Sequence, residues 1–566
     1  MEQRILDGGE AILQGIRDLG MEYVFSSPGS DWGSVWEALA RQKITGTPGP
    51  AYLSCGHETL AVDLAFGYTM MTGRAQAVLL HAGVGLLQGA VGIHGARLNE
   101  IPMMVLSGES TTFGDREDFN PGAQWYANHN NMGGLPRLAD PLVKWAHQAA
   151  SPANLYELVV RAGELAQMPP VGPTYLDVPI EAMIAPWTQP AKLRKIPPAP
   201  RLRPSDSDIE RAAQMLLSAR NPVITAASAG RSREGYEALG ELAELLAIPV
   251  VEGAAADSTN FPKEHPLHQG FEGNAILKEA DLALAVRSRT PWYPANMGPL
   301  NAKVIIVDDS PLKMHMAYQN LQADLFLAGD PTSSLQLLVK ALKAAKPDAG
   351  KIAERRARWA AAHQHIEQRL RAAEAEALAK PGIQPVKLAA TLAQSLPEDT
   401  IYVDETTVHG GINRRHVRNR GPQSYVAARS GLGQGLGIAL GVKLARRTQP
   451  VTLLIGDGAF LYNPATQAFG FARDQKLPFL TVVYNNHGYR AMRQNQLSYY
   501  PQGVGAKNRL FYGEPVNEFA YEELPKLFGG FGARVEDAAQ LRPALEQASA
   551  AVKEGKIALV NVLLKD

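Results

Sequence analysis

A carboxylate and a pair of carboxamides in the last third of the chain have the types and spacing of ligands for a hard cation. Asp457 lies between two glycines, in Gly456-Asp457-Gly458, and Asn485-Asn486 follows after a spacer of 26 residues. Mg²⁺ prefers such oxygen ligands, and its octahedral shell is commonly completed by phosphate oxygens. The two motifs therefore predict a magnesium site that also receives a phosphorylated ligand.

The segments around both motifs predict a strand-helix-strand unit that brings them together. Residues 451–455 and 479–484 are short apolar runs typical of buried strands. Residues 464–475, between these runs, carry a helical pattern. In a parallel unit both motifs then follow the carboxyl ends of strands, at the edge of the sheet where open α/β folds bind ligands. Asp457 and an Asn amide can converge there on one cation.

Length and composition limit the classes of protein to which the chain can belong. A chain of 566 residues predicts two to four domains, and we expect three. Equal numbers of acidic and basic residues, 56 of each, leave no net field for nucleic acid or an anionic membrane. Cys55 is the only cysteine, which excludes intrachain disulfides. With no signal peptide and no apolar span long enough for a bilayer, we expect a cytoplasmic protein.

Alternating strand and helix patterns predict three doubly wound α/β domains. We expect domains at residues 1–188, 189–350 and 384–566, with a charged, alanine-rich helical linker at 351–383. The apolar runs that predict strands in the first two domains are residues 23–25, 51–54, 77–80, 103–106, 222–225, 282–285 and 303–307.

The order of these units and motifs resembles the thiamine-diphosphate (ThDP) decarboxylase and acetohydroxyacid synthase superfamily, over essentially the whole chain. The segment from Gly456 to Asn486 looks like the metal–diphosphate signature of that superfamily, and Glu58 lies in a segment similar to the family's first-domain glutamate motif. Four further features look most like benzoylformate decarboxylase, namely the spacing of 23 residues from Glu58 to His81 and the segments 80–86, 28–30 and 142–145. The resemblance implies pyrimidine-binding, central and diphosphate-binding domains, each built on a parallel sheet.

The resemblance also implies the cofactors ThDP and Mg²⁺ and the residues that bind them. Glu58 would hydrogen-bond the pyrimidine ring nitrogen and relay the removal of the thiazolium C2 proton. An ordinary glutamate in the first turn of a helix is the competing interpretation. Asp457 and Asn486 would be metal ligands, with the carbonyl of Gly488 as the third. The remaining contacts expected around this motif are Gly456, Gly458, Ala459 and Tyr489.

Two other segments are expected to contact the cofactor. Glu405, Thr406 and Thr407 follow a predicted strand at the place where relatives contact the diphosphate, although threonines after strands are common. In the segment 429–433, the carbonyl of Ser430 would accept a hydrogen bond from the aminopyrimidine, and Leu432 would be wedged between the two rings. The glycine-rich residues 431–437 could instead be a dinucleotide fingerprint, but that pattern requires glycine where Leu436 stands.

Three side chains are candidates for substrate chemistry. His81, at the end of a predicted strand, can donate or accept a proton near neutral pH, although a lone histidine is often structural. Ser30 would hold the substrate carboxylate or carbonyl, or else cap the following helix. Gln124 lies about where acetohydroxyacid synthases and benzaldehyde lyase place a functional glutamine.

The chain also departs from its relatives. Residues 287–294 lack the second active-site histidine of benzoylformate decarboxylase, and the same region lacks the FAD-binding pattern of acetohydroxyacid synthases, so we expect no FAD. After the metal motif, Tyr489, Arg490 and Arg493 either shape a pocket for an anionic substrate or lie on the surface.

The resemblance implies an enzyme that cleaves or forms a C–C bond next to a carbonyl. The leading interpretation is a non-oxidative 2-oxo acid decarboxylase with carboligase activity. The alternatives are an FAD-independent carboligase like acetolactate synthase, a hydroxyketone lyase or diketone hydrolase, and a non-catalytic ThDP-binding paralogue. In this superfamily the active site is shared between two subunits, so we expect a homodimer as the minimal unit and a homotetramer as the assembly.

Overall fold

Three parallel sheets and two compact units make up the described part of the chain. The computed structural model describes residues 6–27, 29–112, 120, 134–190, 192–253, 256–271, 273–292, 298–299, 301–316, 322–428 and 430–565. The first unit comprises Met1–Pro200, Ser430–Ala445 and Asn463–Gln475. The second unit comprises Arg201–Arg429, Arg446–Tyr462 and Lys476–Asp566.

The first unit is built on a six-stranded parallel sheet in the order β2-β1-β3-β4-β6-β5. Its strands are β1 (Tyr23–Ser26), β2 (Ala51–Ser54), β3 (Ala77–Leu80), β4 (Met103–Glu109), β5 (Trp145–Gln148) and β6 (Pro173–Pro179). The helices described within its first 200 residues are α1 (Gly8–Asp18), α2 (Gly33–Thr45), α3 (Glu58–Thr72), α4 (Val84–Leu98), α5 (Leu135–Ala139), α6 (Leu155–Gln167) and α7 (Ile180–Ile184). Every residue of β3, β4 and β6 is buried, as expected for parallel strands covered on both faces.

The second unit begins with a five-stranded parallel sheet in the order β11-β10-β9-β7-β8. Its strands are β7 (Pro222–Ala226), β8 (Val250–Glu252), β9 (Leu282–Val286), β10 (Lys303–Asp308) and β11 (Leu325–Ala328). Its helices are α8 (Asp206–Ser218), α9 (Arg233–Leu246), α10 (Asn274–Glu279) and α11 (Pro331–Ala344). Alternate strand residues enter separate apolar clusters, with Ile224 and Leu284 in one and Val223 and Ala283 in the other. Both faces are therefore covered, as the doubly wound pattern predicts.

A third parallel sheet has the order β13-β12-β14-β15-β17-β16. Its strands are β12 (Ile401–Glu405), β13 (Tyr425–Ala427), β14 (Val451–Gly456), β15 (Leu480–Asn485), β16 (Phe531–Val535) and β17 (Ala558–Leu563). The helices of this part of the chain are α12 (Ala349–Ala379), α13 (Pro385–Ser395), α14 (Gly410–His416), α15 (Gly435–Ala445), α16 (Asp457–Phe460), α17 (Ala465–Asp474), α18 (Arg490–Tyr499), α19 (Val504–Asn508) and α20 (Ala538–Lys553). Of these helices, α15 and α17 belong to the first unit.

The predicted fold class is confirmed, since all three sheets are parallel and strands alternate with helices. The charged linker is one helix of 31 residues, α12, whose start is capped by the carboxylate of Asp348. The domain boundaries at residues 188, 350 and 383 stay predictions. Among the described residues, we find no helix with the length and apolar character that crossing a bilayer requires.

Candidate active site

The first turn of α3 presents Glu58 just beyond the carboxyl end of β2. Gly56 turns the chain with a φ of +68°, a left-handed conformation that favours glycine. The imidazole of His57 then accepts a hydrogen bond from the backbone N–H of Thr59 at 3.2 Å and caps the helix. The Glu58 side chain is half-buried and makes no hydrogen bond or ion pair with any residue that the structure describes. Its carboxylate is therefore available to a ligand.

His81, the first residue after β3, is paired with a buried acid. Its Nδ1 lies 2.8 Å from Oδ1 of Asp31, which is fully buried, whereas the His81 side chain is 22% exposed. The hydrogen bond to Asp31 is the main reason that the pKa of His81 is raised above its ordinary value. Burial acts in the opposite direction, and the charges of Asp31 and Glu58 reinforce the rise. His81 therefore keeps its proton to higher pH than an ordinary histidine, as a proton donor requires.

Ser30 begins a short 3-10 turn, Ser30–Trp32, that leads into α2. Its side chain is exposed, and neither this turn nor α2 has a side-chain capping bond. The N-cap residues are Gly29 for the turn and Trp32 for α2, so both interpretations of Ser30 stay predictions. Nε1 of Trp32 donates to the carbonyl of Leu80 at 2.8 Å. This bond ties the turn that carries Ser30 to the end of β3, next to His81.

The segment before α15 holds Leu432 between two anchored residues. Nδ2 of Asn99 donates to Oγ of Ser430 at 2.6 Å, and Nε2 of Gln434 donates to Oδ1 of Asp63 at 3.0 Å. Gln434 and Asp63 are both buried, whereas Leu432 is 39% exposed. An exposed aliphatic side chain on a fixed loop is compatible with the predicted wedge, and that role stays a prediction.

Glycines of α15 allow this helix to pack closely against α3. A Cβ added to Gly437 would lie 2.4 Å from Cβ of Asp63, and one added to Gly441 would lie 2.2 Å from the carbonyl oxygen of Leu64. The glycine run therefore has a packing role, which agrees with the failure of the dinucleotide pattern at Leu436.

The backbone N–H of Gly488 joins the two predicted metal motifs. It donates to Oδ2 of Asp457 at 3.0 Å and to Oδ1 of Asn486 at 3.2 Å. Asp457 is buried, and its Oδ1 accepts from the N–H of Gly458 at 2.9 Å. The turn is tight, with His487 at a φ of +57°. The structure thus brings together all three residues predicted to bind the metal.

Tyr489 closes over the glycine that follows Asp457. A Cβ on Gly458 would lie 2.4 Å from Cε1 of Tyr489, so the ring can occupy this place only because residue 458 is glycine. Gly488 is similarly restricted, because its added Cβ would lie 2.7 Å from the carbonyl oxygen of Glu514. The residues predicted to contact the cofactor here are therefore packed tightly against one another.

The three residues after β12 that are predicted to contact the diphosphate differ in burial. Glu405 is buried, and the hydroxyl of Thr406 donates to Oδ1 of Asp404 at 2.5 Å. Nδ2 of Asn413 also donates to the Thr406 hydroxyl oxygen at 3.0 Å. Thr407, by contrast, is exposed. Of the three predicted residues, Thr407 is the one with an exposed side chain, and all three contacts stay predictions.

The oxygen atoms around Asp457 fit Mg²⁺. Burial is the main reason that the pKa of Asp457 is raised, although backbone donors oppose the rise. A divalent cation at this carboxylate would offset the cost of burying its charge. The Gly488 carbonyl accepts a hydrogen bond from the N–H of Arg490 at 2.9 Å and has a second lone pair for a metal. Asp457, Asn486 and Gly488 therefore supply hard oxygen ligands of the kind that Mg²⁺ prefers.

Sequence reasoning missed two buried acids that hold candidate residues. Asp31 holds His81, and Asp404 holds Thr406. Asp31 is next to Ser30 in the 3-10 turn that follows β1, and Asp404 is two residues before Thr406, near the end of β12. An acid next to a candidate residue at the carboxyl end of a strand was the signal that could have indicated them.

The arginines after the metal motif have a carboxylate partner. Arg490 and Arg493 each lie 3.4 Å from Oε1 of Glu514. This acid offsets part of the positive charge that had suggested an anionic substrate. Gln124 lies outside the described residues.

Comparison with known protein families gives three matches in chain order. The family described as "Thiamine pyrophosphate enzyme, N-terminal TPP binding domain" matches residues 6–124. The central domain of the same enzymes matches residues 209–338, and their C-terminal TPP binding domain matches residues 406–562. Thiamine pyrophosphate is another name for ThDP.

Individual relatives cover most of the chain at low identity. The probable 2-ketoarginine decarboxylase of Pseudomonas aeruginosa is 26% identical and aligns with 90% of this chain and 87% of its own. Acetolactate synthase isozyme 3 large subunit of Escherichia coli is 26% identical, with 99% and 95% covered. Benzoylformate decarboxylase of P. aeruginosa is 27% identical, with 84% and 85% covered.

Solved structures share the fold. The ThDP-dependent 4-hydroxybenzoylformate decarboxylase of Rhodococcus jostii RHA1 superposes with a TM-score of 0.79 at 23% identity, over 99% of both chains. Benzoylformate decarboxylase of Polynucleobacter necessarius gives a TM-score of 0.78 at 20% identity, also over 99% of both chains. With three successive domains of thiamine pyrophosphate enzymes on three parallel sheets, the chain belongs to the ThDP-dependent decarboxylase and acetolactate synthase superfamily and is a ThDP-dependent lyase or carboligase.

Proposed function

We propose that the protein is a Mg²⁺- and ThDP-dependent, non-oxidative 2-oxo acid decarboxylase with carboligase activity. The observation that carries this proposal is the pairing of His81 with Asp31 just after β3, in the same unit as Glu58. A histidine with a raised pKa can supply the proton that replaces the departing carboxylate. Two of the relatives compared above are decarboxylases by name, and one of them is a benzoylformate decarboxylase.

Bound ThDP supplies a nucleophilic carbon for the substrate carbonyl and accepts the electron pair released with carbon dioxide. In our proposal, Glu58 holds the pyrimidine ring and relays a proton through it. Ser30 orients the substrate carboxylate by hydrogen bonding, and His81 delivers or removes a proton at the carbonyl carbon or oxygen. Gln124 is proposed to help orient the substrate. The exposed side chain of Ser30 supports these roles, as does the Glu58 carboxylate, which has no partner among the residues that the structure describes.

Cofactor binding is assigned to the turns after β12, β14 and β15. We propose that Asp457, Asn486 and the carbonyl of Gly488 hold Mg²⁺, since the N–H of Gly488 already aligns the two side-chain oxygens. Thr407 is proposed to bind the diphosphate, and Leu432 to separate the two rings.

An FAD-independent carboligase like acetolactate synthase is the second candidate. The acetolactate synthase of E. coli aligns with 99% of this chain, more than the benzoylformate decarboxylase of P. aeruginosa does. Residues 287–294 also lack the second histidine typical of benzoylformate decarboxylase. FAD is not expected in either case, because its sequence pattern is absent from the chain. A lyase or hydrolase acting on a hydroxyketone or diketone uses the same cofactor and is a third candidate.

We further propose a homodimer in which Glu58 of one subunit and Asp457 of the partner subunit act on the same cofactor, with a homotetramer as the assembly. This arrangement is what the family resemblance implies. The proposed domains remain residues 1–188, 189–350 and 384–566.

A panel of 2-oxo acids tests the proposed reaction. The protein, supplied with ThDP and Mg²⁺, is assayed for release of carbon dioxide, and the organic products are identified with and without an added aldehyde. The proposal expects carbon dioxide and the matching aldehyde, plus a hydroxyketone when aldehyde is added. Release of carbon dioxide with a 2-hydroxy-2-alkyl-3-oxo acid as the only product would favour the carboligase instead. If no 2-oxo acid releases carbon dioxide, the result would contradict both the decarboxylase and the carboligase and would favour a lyase or hydrolase.

A further inference from the structure

We propose that Asp31 is a positioning residue, which fixes the tautomer and orientation of His81 so that protons pass to and from the substrate through Nε2. The acid–base part of this inference rests on the proposed function. The structural part, that Asp31 controls the protonation of His81, can be tested without any substrate.

The contact between the two side chains is direct and buried. Oδ1 of Asp31 lies 2.8 Å from Nδ1 of His81, and Asp31 is 0% exposed. The second oxygen, Oδ2 of Asp31, has no hydrogen-bond partner among the described residues. A buried carboxylate with so few partners is costly unless a neighbour carries the opposite charge. Protonated His81 supplies that charge, and the N–H at Nδ1 then faces Asp31.

Two glycines, Gly29 and Gly108, pack closely against the Asp31–His81 pair. A Cβ on Gly29 would lie 2.3 Å from Oδ1 of Asp31 and 2.4 Å from Nδ1 of His81. A Cβ on Gly108 would lie 2.0 Å from Oδ2 of Asp31. Any side chain at either position would displace the carboxylate from the imidazole. The surrounding backbone therefore fits the aspartate closely and fixes where it meets the ring.

Among the contacts given for the described residues, Asp31 is the carboxylate that hydrogen-bonds the His81 imidazole. Glu58 of α3 acts on His81 from a greater distance, through its charge alone. Glu109 and Asp177, near the ends of β4 and β6, act through their charges on Tyr175, as Asp31 does. Burial raises the pKa of Glu109 to about 7 and that of Asp177 to about 8. Neither group is among the charges that act on the pKa of His81.

The pH dependence of chemical modification tests the inference. Diethyl pyrocarbonate reacts with neutral imidazole, so the pH midpoint of its reaction at one histidine reports the pKa of that histidine. The full-length protein is treated between pH 5 and 9, and modification of His81 is measured by peptide mass spectrometry. At each pH, the exposed His94 of α4 corrects for differences in reagent between the wild-type and variant samples.

In the wild-type protein we expect the His81 midpoint to lie above the ordinary histidine value of about 6.5. Asp31→Asn keeps the size of the side chain but removes its charge, so the midpoint should fall. Asp177→Asn is the matched control, because it also changes a buried acid of this sheet but one without a direct contact to His81. That control should leave the midpoint unchanged.

Kinetics then connect the pair to the reaction. Asp31→Asn should lower kcat by about 10²-fold with little change in KM. In a profile of kcat against pH, the pH at which the rate changes with the protonation of His81 should shift in the same direction as the modification midpoint. A loss of stability alone would move neither pH value.

An unchanged His81 midpoint in Asp31→Asn would overturn the inference, as would a wild-type midpoint at or below the ordinary value. If Asp31→Asn does not fold, as judged by circular dichroism, the inference is tested by the wild-type protein alone. A His81 midpoint above the ordinary value then supports it, and a midpoint at or below that value overturns it. If no 2-oxo acid is turned over, the proposed function fails, while the two midpoints still show whether Asp31 controls His81.

Discussion

Replacing Glu58 by glutamine should separate catalysis from folding, because the structure gives this carboxylate no partner among the described residues. Removing its charge from the first turn of α3 forfeits at most the interaction with the helix dipole, about 0.3–1 kcal/mol. Loss of a proton relay is expected to slow cofactor activation by about 10²–10⁴-fold. At about 1.36 kcal/mol per factor of ten, that loss raises the barrier by about 2.7–5.4 kcal/mol. The catalytic effect should thus exceed the effect on stability several-fold.

The direct assay is hydrogen–deuterium exchange at C2 of ThDP bound to the protein in Mg²⁺, stopped by acid and read by proton NMR. Thermal unfolding of the same samples measures the cost to stability. Glu157→Gln is the matched control, since Glu157 is also an acidic residue in the first turn of a helix, α6, and is exposed. It should leave the exchange rate unchanged. An exchange rate in Glu58→Gln equal to that of the wild type would refute the relay role, whatever the change in stability.

Three further outcomes are expected. Gly458→Ala should weaken ThDP binding in Mg²⁺ by about tenfold or more in calorimetric titrations, because the added Cβ meets the ring of Tyr489 at 2.4 Å and must displace it. Gly240→Ala, whose added Cβ meets no atom within 4 Å, should leave the affinity unchanged, and equal affinities for the two variants would contradict the packing argument. His81→Ala should lower kcat by about 10²–10⁴-fold while C2 exchange stays at the wild-type rate, and loss of exchange would place His81 in cofactor activation instead. The purified enzyme should show no flavin absorbance and should lose activity when Mg²⁺ is chelated, whereas a stoichiometric flavin would contradict the sequence argument.

The positions of the metal motifs could be predicted because they depend on local sequence patterns. Short apolar runs mark β14 and β15, and parallel strands place whatever follows them at one edge of a sheet. Asp457 and Asn486 accordingly accept hydrogen bonds from the same backbone N–H, that of Gly488. The strands at 51–54 and 77–80 have the predicted bounds, which places Glu58 and His81 as expected.

Contacts between distant parts of the chain could not be predicted in this way. Asp31 and His81 are 50 residues apart and meet because β1 lies next to β3, an order that sequence periodicity does not reveal. The depth of burial depends on the same tertiary contacts. From the sequence, Thr406 and Thr407 were equivalent candidates, but Asp404 engages the hydroxyl of Thr406 and leaves Thr407 exposed.

Subunit complementation tests most directly whether Glu58 and Asp457 serve one cofactor. Glu58→Gln and Asp457→Asn subunits are co-expressed in equal amounts with different affinity tags, and the mixture is assayed for release of carbon dioxide. Random pairing makes about half of the dimers hybrid, and each hybrid has one of its two shared sites intact, so activity should recover to about a quarter of the wild-type value. Each variant alone should remain near background. A mixture no more active than the two separate variants would contradict the account, because it would show that the two residues do not meet across the subunit interface.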